Sequence, residues 1–166
     1  MNAIAEMSSL KRVGPADASA VLAFASAAVS AYWTLGGTVL LDTVGGSIER
    51  LARERSAPAI LLGMVVVLVK VACGLLALAL VQPWGARVGR RLLLTFSSVG
   101  SVVLVLYGGV LVLVGGLVLA NAVNPSRPVD EHALRWHVFV WDLWFLVWGL
   151  ALGLAAWRYK VNGRSS

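Results

Sequence analysis

Apolar residues run almost unbroken through four stretches, 18–41, 57–81, 92–123 and 133–157, and polar residues gather in the gaps. The hydrocarbon core of a bilayer takes about 20 consecutive apolar residues per helical crossing, and each stretch meets that length. Backbone groups in lipid need internal partners, which leaves helices or a closed barrel, and apolar runs this long and continuous fit helices. The pattern predicts an all-α membrane protein: four transmembrane helices in an antiparallel bundle of two hairpins. Residues 1–17 and 158–166 form short tails, which leaves no room for a separate soluble domain.

The gaps carry readable signals. Residues 47–55 are expected to form one or two helical turns, with Ile48, Leu51 and Ala52 on one side and Glu49 paired to Arg53 at i,i+4. Pro83-Trp84-Gly85 breaks the second run, and Trp84 suits a headgroup-level anchor. Asn124-Pro125 and Arg127-Pro128 end the third. Gly-Gly pairs at 36–37, 45–46, 108–109 and 115–116 hint at two related hairpins.

Charge orients the bundle. Lys11, Arg12, Arg87, Arg90, Arg91, Arg158, Lys160 and Arg164 fall on one side, against Arg50, Arg53, Arg55, Arg127 and Arg135 on the other. Eight against five places both termini in the cytoplasm by the positive-inside rule. Only 13% of the 166 residues are charged, against about 25% in a soluble domain. The net charge of +6 sits beside the span ends rather than on one face, which fits anionic lipid headgroups and not nucleic acid. Ala25-Ser26-Ala27 resembles a signal cleavage site, but the apolar run continues past it, so the first helix is expected to be retained. Cys73 stands alone, which excludes the paired-cysteine redox enzymes of membranes and makes it a packing residue.

Sorted at about 100° per residue, small residues share faces: Ala59, Gly63, Gly74 and Ala77 with Lys70; Ser97, Ser101, Gly108 and Gly115; and Gly149 and Gly153 with Arg135 and Asp142. Such faces pack closely between helices in lipid. Lys70 and Asp142, the base and the acid well inside the runs, both lie on them. A charge at mid-bilayer costs roughly 2.5 kcal/mol or more, so a partner is expected. A Lys70–Asp142 pair is the natural candidate, either as a clasp that fixes helix order or as a polar site for a proton, a cation or a substrate.

The opposite side of the fourth run carries His137, Trp141, Trp144 and Trp148 at spacings of four, three and four. These residues predict bulky packing, or a flat aromatic surface for a partner helix or a hydrophobic molecule. That stripe and the Asp142 face are not expected to look into one narrow core together. His132 and His137, five apart, share no helical face and suggest neither a metal nor a haem site. Asp42 is expected near Arg135 or His137 at the membrane surface. No nucleophile elbow, phosphate loop or paired carboxylate site is present, so neither enzymatic activity nor a cofactor is expected.

Tyr32-Trp33-Thr34-Leu35-Gly36-Gly37 in the first run and Trp141-Asp142-Leu143-Trp144-Phe145 with Trp148-Gly149 in the fourth resemble a family of small bacterial membrane proteins of unknown function. The resemblance spans about residues 20–157. It implies a four-helix domain in the plasma membrane and marks Trp33, Gly36, Gly37, Asp142 and Trp144 as pattern positions. It supplies no reaction, and Lys70 lies outside it. The expected function is non-enzymatic: a multi-pass protein that binds partner helices or a hydrophobic ligand. The alternative is a small transporter or permeation subunit using Lys70 and Asp142.

Overall fold

The computed structural model describes residues 13–125 and 129–162. Lys11, Arg12, Arg127, Pro128 and Arg164, which entered the charge count and the third connection, lie outside the described residues.

Helix α1, Pro15–Thr34, begins with proline at its first position, and the Gly14 amide donates to Asp17 Oδ2 at 3.0 Å. Proline there gives up only an amide that a helix start leaves unpaired, and the carboxylate favours the positive end of the helix dipole. The first apolar run was expected to continue as a helix to residue 41, but α1 stops at Thr34. The Gly37 amide bonds Tyr32 O at 2.8 Å and the Gly36 amide bonds Trp33 O at 3.0 Å, with Gly36 at φ +104°. That is the paired bonding of a glycine-terminated helix, which requires a left-handed residue. Residues 35–45 turn back over the bundle end, burying Leu41, Thr43 and Val44.

Helix α2, Gly46–Glu54, is the short amphipathic segment expected between the first two runs, and Arg53 Nη2 meets Glu49 Oε1 at 2.7 Å. Helix α3 spans Ala57–Ala79, and a tight 3-10 turn over Pro83–Arg87 leads to α4, Arg90–Leu119. At about 1.5 Å per residue, the 30 residues of α4 extend well beyond a 30 Å hydrocarbon core. The last element is one continuous rod in three parts: α5 (Glu131–Trp136), a π-helical segment (His137–Trp141) and α6 (Asp142–Asn162). Asp130 caps its start by accepting from the His132 and Ala133 amides.

Among the described residues, three helical segments are long and apolar enough to cross a membrane: Ala57–Ala79, Arg90–Leu119 and Glu131–Asn162. Large apolar side chains on the outer faces of α3 and α4, among them Leu61, Leu68, Val102, Leu106 and Leu113, are exposed. Faces of that kind suit a hydrocarbon solvent. α1 has 20 residues, and its Ala- and Ser-rich composition makes it less apolar than the other three.

Two antiparallel hairpins result, α1 with α3 and α4 with α6, and they join where α1 packs on α6. Small residues set both hairpins. Gly74 lies against the Phe24 ring and Gly63 against Thr34. Gly108 faces the Asp142 carbonyl and the Leu146 amide, where a Cβ would come within 2.6 Å of the former. Ser101 Oγ donates to Gly149 O at 2.8 Å, and Arg90 Nη2 to Lys160 O at 2.9 Å, tying the start of α4 to the end of α6. One end of the bundle is a tight core of Ala16, Ala20, Ala77, Leu80, Leu93 and Leu152. The other end, under α2 and the 35–45 turns, is open inside.

Candidate functional site

A cavity of about 390 Å³ lies between α1, α3 and α6 at the α2 end of the bundle. Its wall is mostly apolar: Val29, Ile48, Leu51, Val66 and Phe145 contribute, with Tyr107 reaching in from α4. Two polar groupings interrupt it.

The first is Lys70, about 20 Å along α3 from its start at 1.5 Å per residue. Its ammonium donates to Ser30 Oγ at 2.7 Å, makes a longer contact of 3.5 Å with Ser26 O, and lies 5.5 Å from the centre of the Phe145 ring. α1 and α3 are hairpin neighbours, so serines one helical turn apart on α1 face the lysine directly. No carboxylate of the described residues lies within 4.0 Å of Lys70 Nζ. The expected Lys70–Asp142 ion pair is not formed. Each residue lines the cavity, but α1 and the π segment supply closer partners than either is to the other.

The second grouping is His137 and Asp142. His137 Nδ1 lies 3.2 Å from Asp142 Oδ1, and His137 Nε2 lies 2.8 Å from Val44 O. Asp142 is buried, and His137 is its partner. On a regular helix these two side chains point about 140° apart. The π segment removes that separation, because its Asp142 amide bonds back five residues to His137 O. Side chains five apart then stack on one face, and such insertions recur at functional sites. The separation expected between the His137 stripe and the Asp142 face is therefore corrected where the π segment lies: His137, Trp141 and Asp142 line the same cavity.

The protonation of this couple follows from its partners. A backbone carbonyl only accepts, so Nε2 carries a hydrogen toward Val44 O. Nδ1 and a carboxylate oxygen at hydrogen-bond distance need a second proton between them. With it the couple is neutral overall, whichever of the two atoms holds it.

The tryptophans do not form an open surface. Trp148 is 2% exposed, Trp144 Nε1 donates to Leu22 O at 3.1 Å, and Trp141 Nε1 donates to Thr43 Oγ1 at 3.1 Å. α1 and the 35–45 turns cover the stripe. Trp33 joins this layer edge-on to Trp141, with ring centres 5.4 Å apart, and donates to Val39 O at 2.9 Å. Leu22 O, Ser26 O and Ser30 O, spaced four apart along α1, accept from Trp144, Lys70 and Thr34 in turn.

The pattern glycines act on the backbone. Gly36 and Gly37 end α1, and Gly36 lies against the Arg55 guanidinium, which borders the cavity. Asp42 and Arg135 lie elsewhere. Asp42 is exposed, and Arg135 is an exposed i,i+4 partner of Glu131 at 3.7 Å. Among the described residues no three of His, Cys, Asp and Glu gather as metal ligands. Ser26, Ser30, Thr43 and Phe145 are site residues that the sequence reading passed over. The i,i+4 serines on α1 were a usable signal, since a hairpin partner carries the lysine.

No curated protein and no solved structure matches the chain. Residues 23–152, which include every residue of both polar groupings, match the family described as "Protein of unknown function (DUF3995)", and the chain belongs to that family.

Proposed function

Starting from membership of that family, which brings no activity with it, we propose that the protein is a non-enzymatic multi-pass membrane protein that binds a hydrophobic small molecule in the cavity. In this reading α1 crosses the bilayer with the other three long helices, and both termini face the cytoplasm of a cell whose plasma membrane holds the protein. The observation that carries the proposal is the cavity itself. It is mostly apolar, it lies between helices suited to lipid, and its few polar groups include Lys70 with its serines, the His137–Asp142 couple and Arg55. Ligand sites have that composition: an apolar wall with a few convergent polar groups. Protein extracted in mild detergent and weighed by native mass spectrometry should retain a bound hydrophobic molecule. Val66→Trp, which fills the cavity wall, should release it. Equal retention in wild type and Val66→Trp overturns the proposal.

A second reading is a small transporter or permeation subunit. A proton held between His137 and Asp142 beside the Lys70 cation supports it, since intramembrane ionisable groups mark ion and proton paths. In liposomes, Asp142→Asn should then abolish proton-dependent flux while the fold survives. Unchanged flux removes this reading.

A further inference from the structure

We infer that the cavity selects a single-chain amphiphile with an acidic oxyanion headgroup, a carboxylate or a phosphate, seated on Lys70 Nζ. The inference rests on the binding reading above and specifies its ligand.

Three observations lead there. First, Lys70 is a cation on an apolar wall whose partners are all neutral: a hydroxyl, a longer carbonyl contact and an aromatic face. An ammonium has three donors and no acceptor, so these partners leave donor capacity toward the cavity. Second, the carboxylate that shares the cavity is already committed. Asp142 and His137 hold one proton between them and are neutral together, so they do not compensate Lys70. The other charged group at the wall is Arg55, also a cation, exposed at the rim. The cavity therefore carries positive charge without a matching anion among the described residues, which is costly in a low-dielectric setting. A headgroup oxyanion on Lys70 makes a charge-assisted hydrogen bond, stronger than one to a neutral group. Third, the rest of the wall is apolar and the volume of about 390 Å³ is near the small end of ligand pockets, roughly 300–1,000 Å³. That space suits one acyl chain rather than two.

The test uses the full chain in a non-ionic detergent and reads tryptophan quenching, since Trp33 and Trp141 line the cavity. The probes are 9,10-dibromostearic acid, its methyl ester, and dodecyl phosphate as a competitor. The acid should quench saturably, with an affinity at least tenfold above the ester. Lys70→Met should lose that tenfold for the acid and leave the ester unchanged, while Lys70→Arg keeps the preference. Dodecyl phosphate should displace the acid. Stronger displacement by dodecyl phosphate than by dodecanoate, the carboxylate of matched chain length, would assign the headgroup to a lipid phosphate, and the reverse to a free fatty acid. Equal wild-type affinity for acid and ester overturns the inference without recourse to any variant, and leaves apolar binding standing. No saturable quenching by either probe overturns both.

Discussion

His137 Nδ1 and Asp142 Oδ1 meet at 3.2 Å across a π-helical segment whose closing long backbone step joins the same two residues, Asp142 N to His137 O. The side-chain contact and the backbone irregularity are thus one feature. Removing either group leaves the other facing a mostly apolar cavity.

Asp142→Leu should therefore destabilise the protein, while Asp142→Asn, whose amide still donates to Nδ1, should cost less. Interhelical and intramembrane hydrogen bonds average about 0.6 kcal/mol and reach about 1.7, which sets the expected scale. Thermal unfolding in detergent checks it. Asp142→Leu melting with wild type would show that the couple contributes nothing to the fold.

Lys70 and Asp142 share a wall but do not pair. A double-mutant cycle of Lys70→Met and Asp142→Leu should give a coupling well below the roughly 3–5 kcal/mol that breaking a buried ion pair costs. A coupling of that size, with the double change more stable than either single, would establish an ion pair between them.

Burial separates tryptophans that look alike in sequence. Trp148 is 2% exposed and Trp157 is 60% exposed. Trp148→Ala should cost about 3–5 kcal/mol through lost burial and a cavity, and Trp157→Ala should leave detergent-solubilised stability nearly unchanged. Similar losses at both positions would contradict this packing.

Glycines on α4 form a matched pair. Gly108 presses on the α6 backbone at Asp142 and Leu146, whereas a Cβ at Gly116 meets nothing within 4 Å. Gly108→Leu should separate the α4–α6 hairpin and lower both expression and melting temperature, and Gly116→Leu should be tolerated. Equal tolerance would mean that the close approach at Gly108 does not occur.

Much of the helix packing was readable from spacing. Gly63, Lys70 and Gly74 do face one neighbour, α1, while Ser101 and Gly108 are turned to α6 and Gly115 to α5 and the π segment of the same rod. The end of α1 was written in Gly36-Gly37 but was overridden by the apolar residues that follow. Apolarity reports burial or lipid contact, not helical continuity, and Leu41 is buried in a turn.

What the sequence determined by itself is what depends on local composition and period: helices suited to lipid, α2 with its Glu49–Arg53 pair, and the small-residue faces. The tertiary structure alone decided which groups meet. Lys70 finds Ser30 because α1 is its hairpin neighbour, and the tryptophan stripe is covered because α1 also packs on α6. His137 reaches Asp142 because one π segment shifts the helical phase, which a uniform turn of about 100° per residue places on opposite sides. Local rules carry periodicity along one helix, while the choice of partner is a packing equilibrium among all of them.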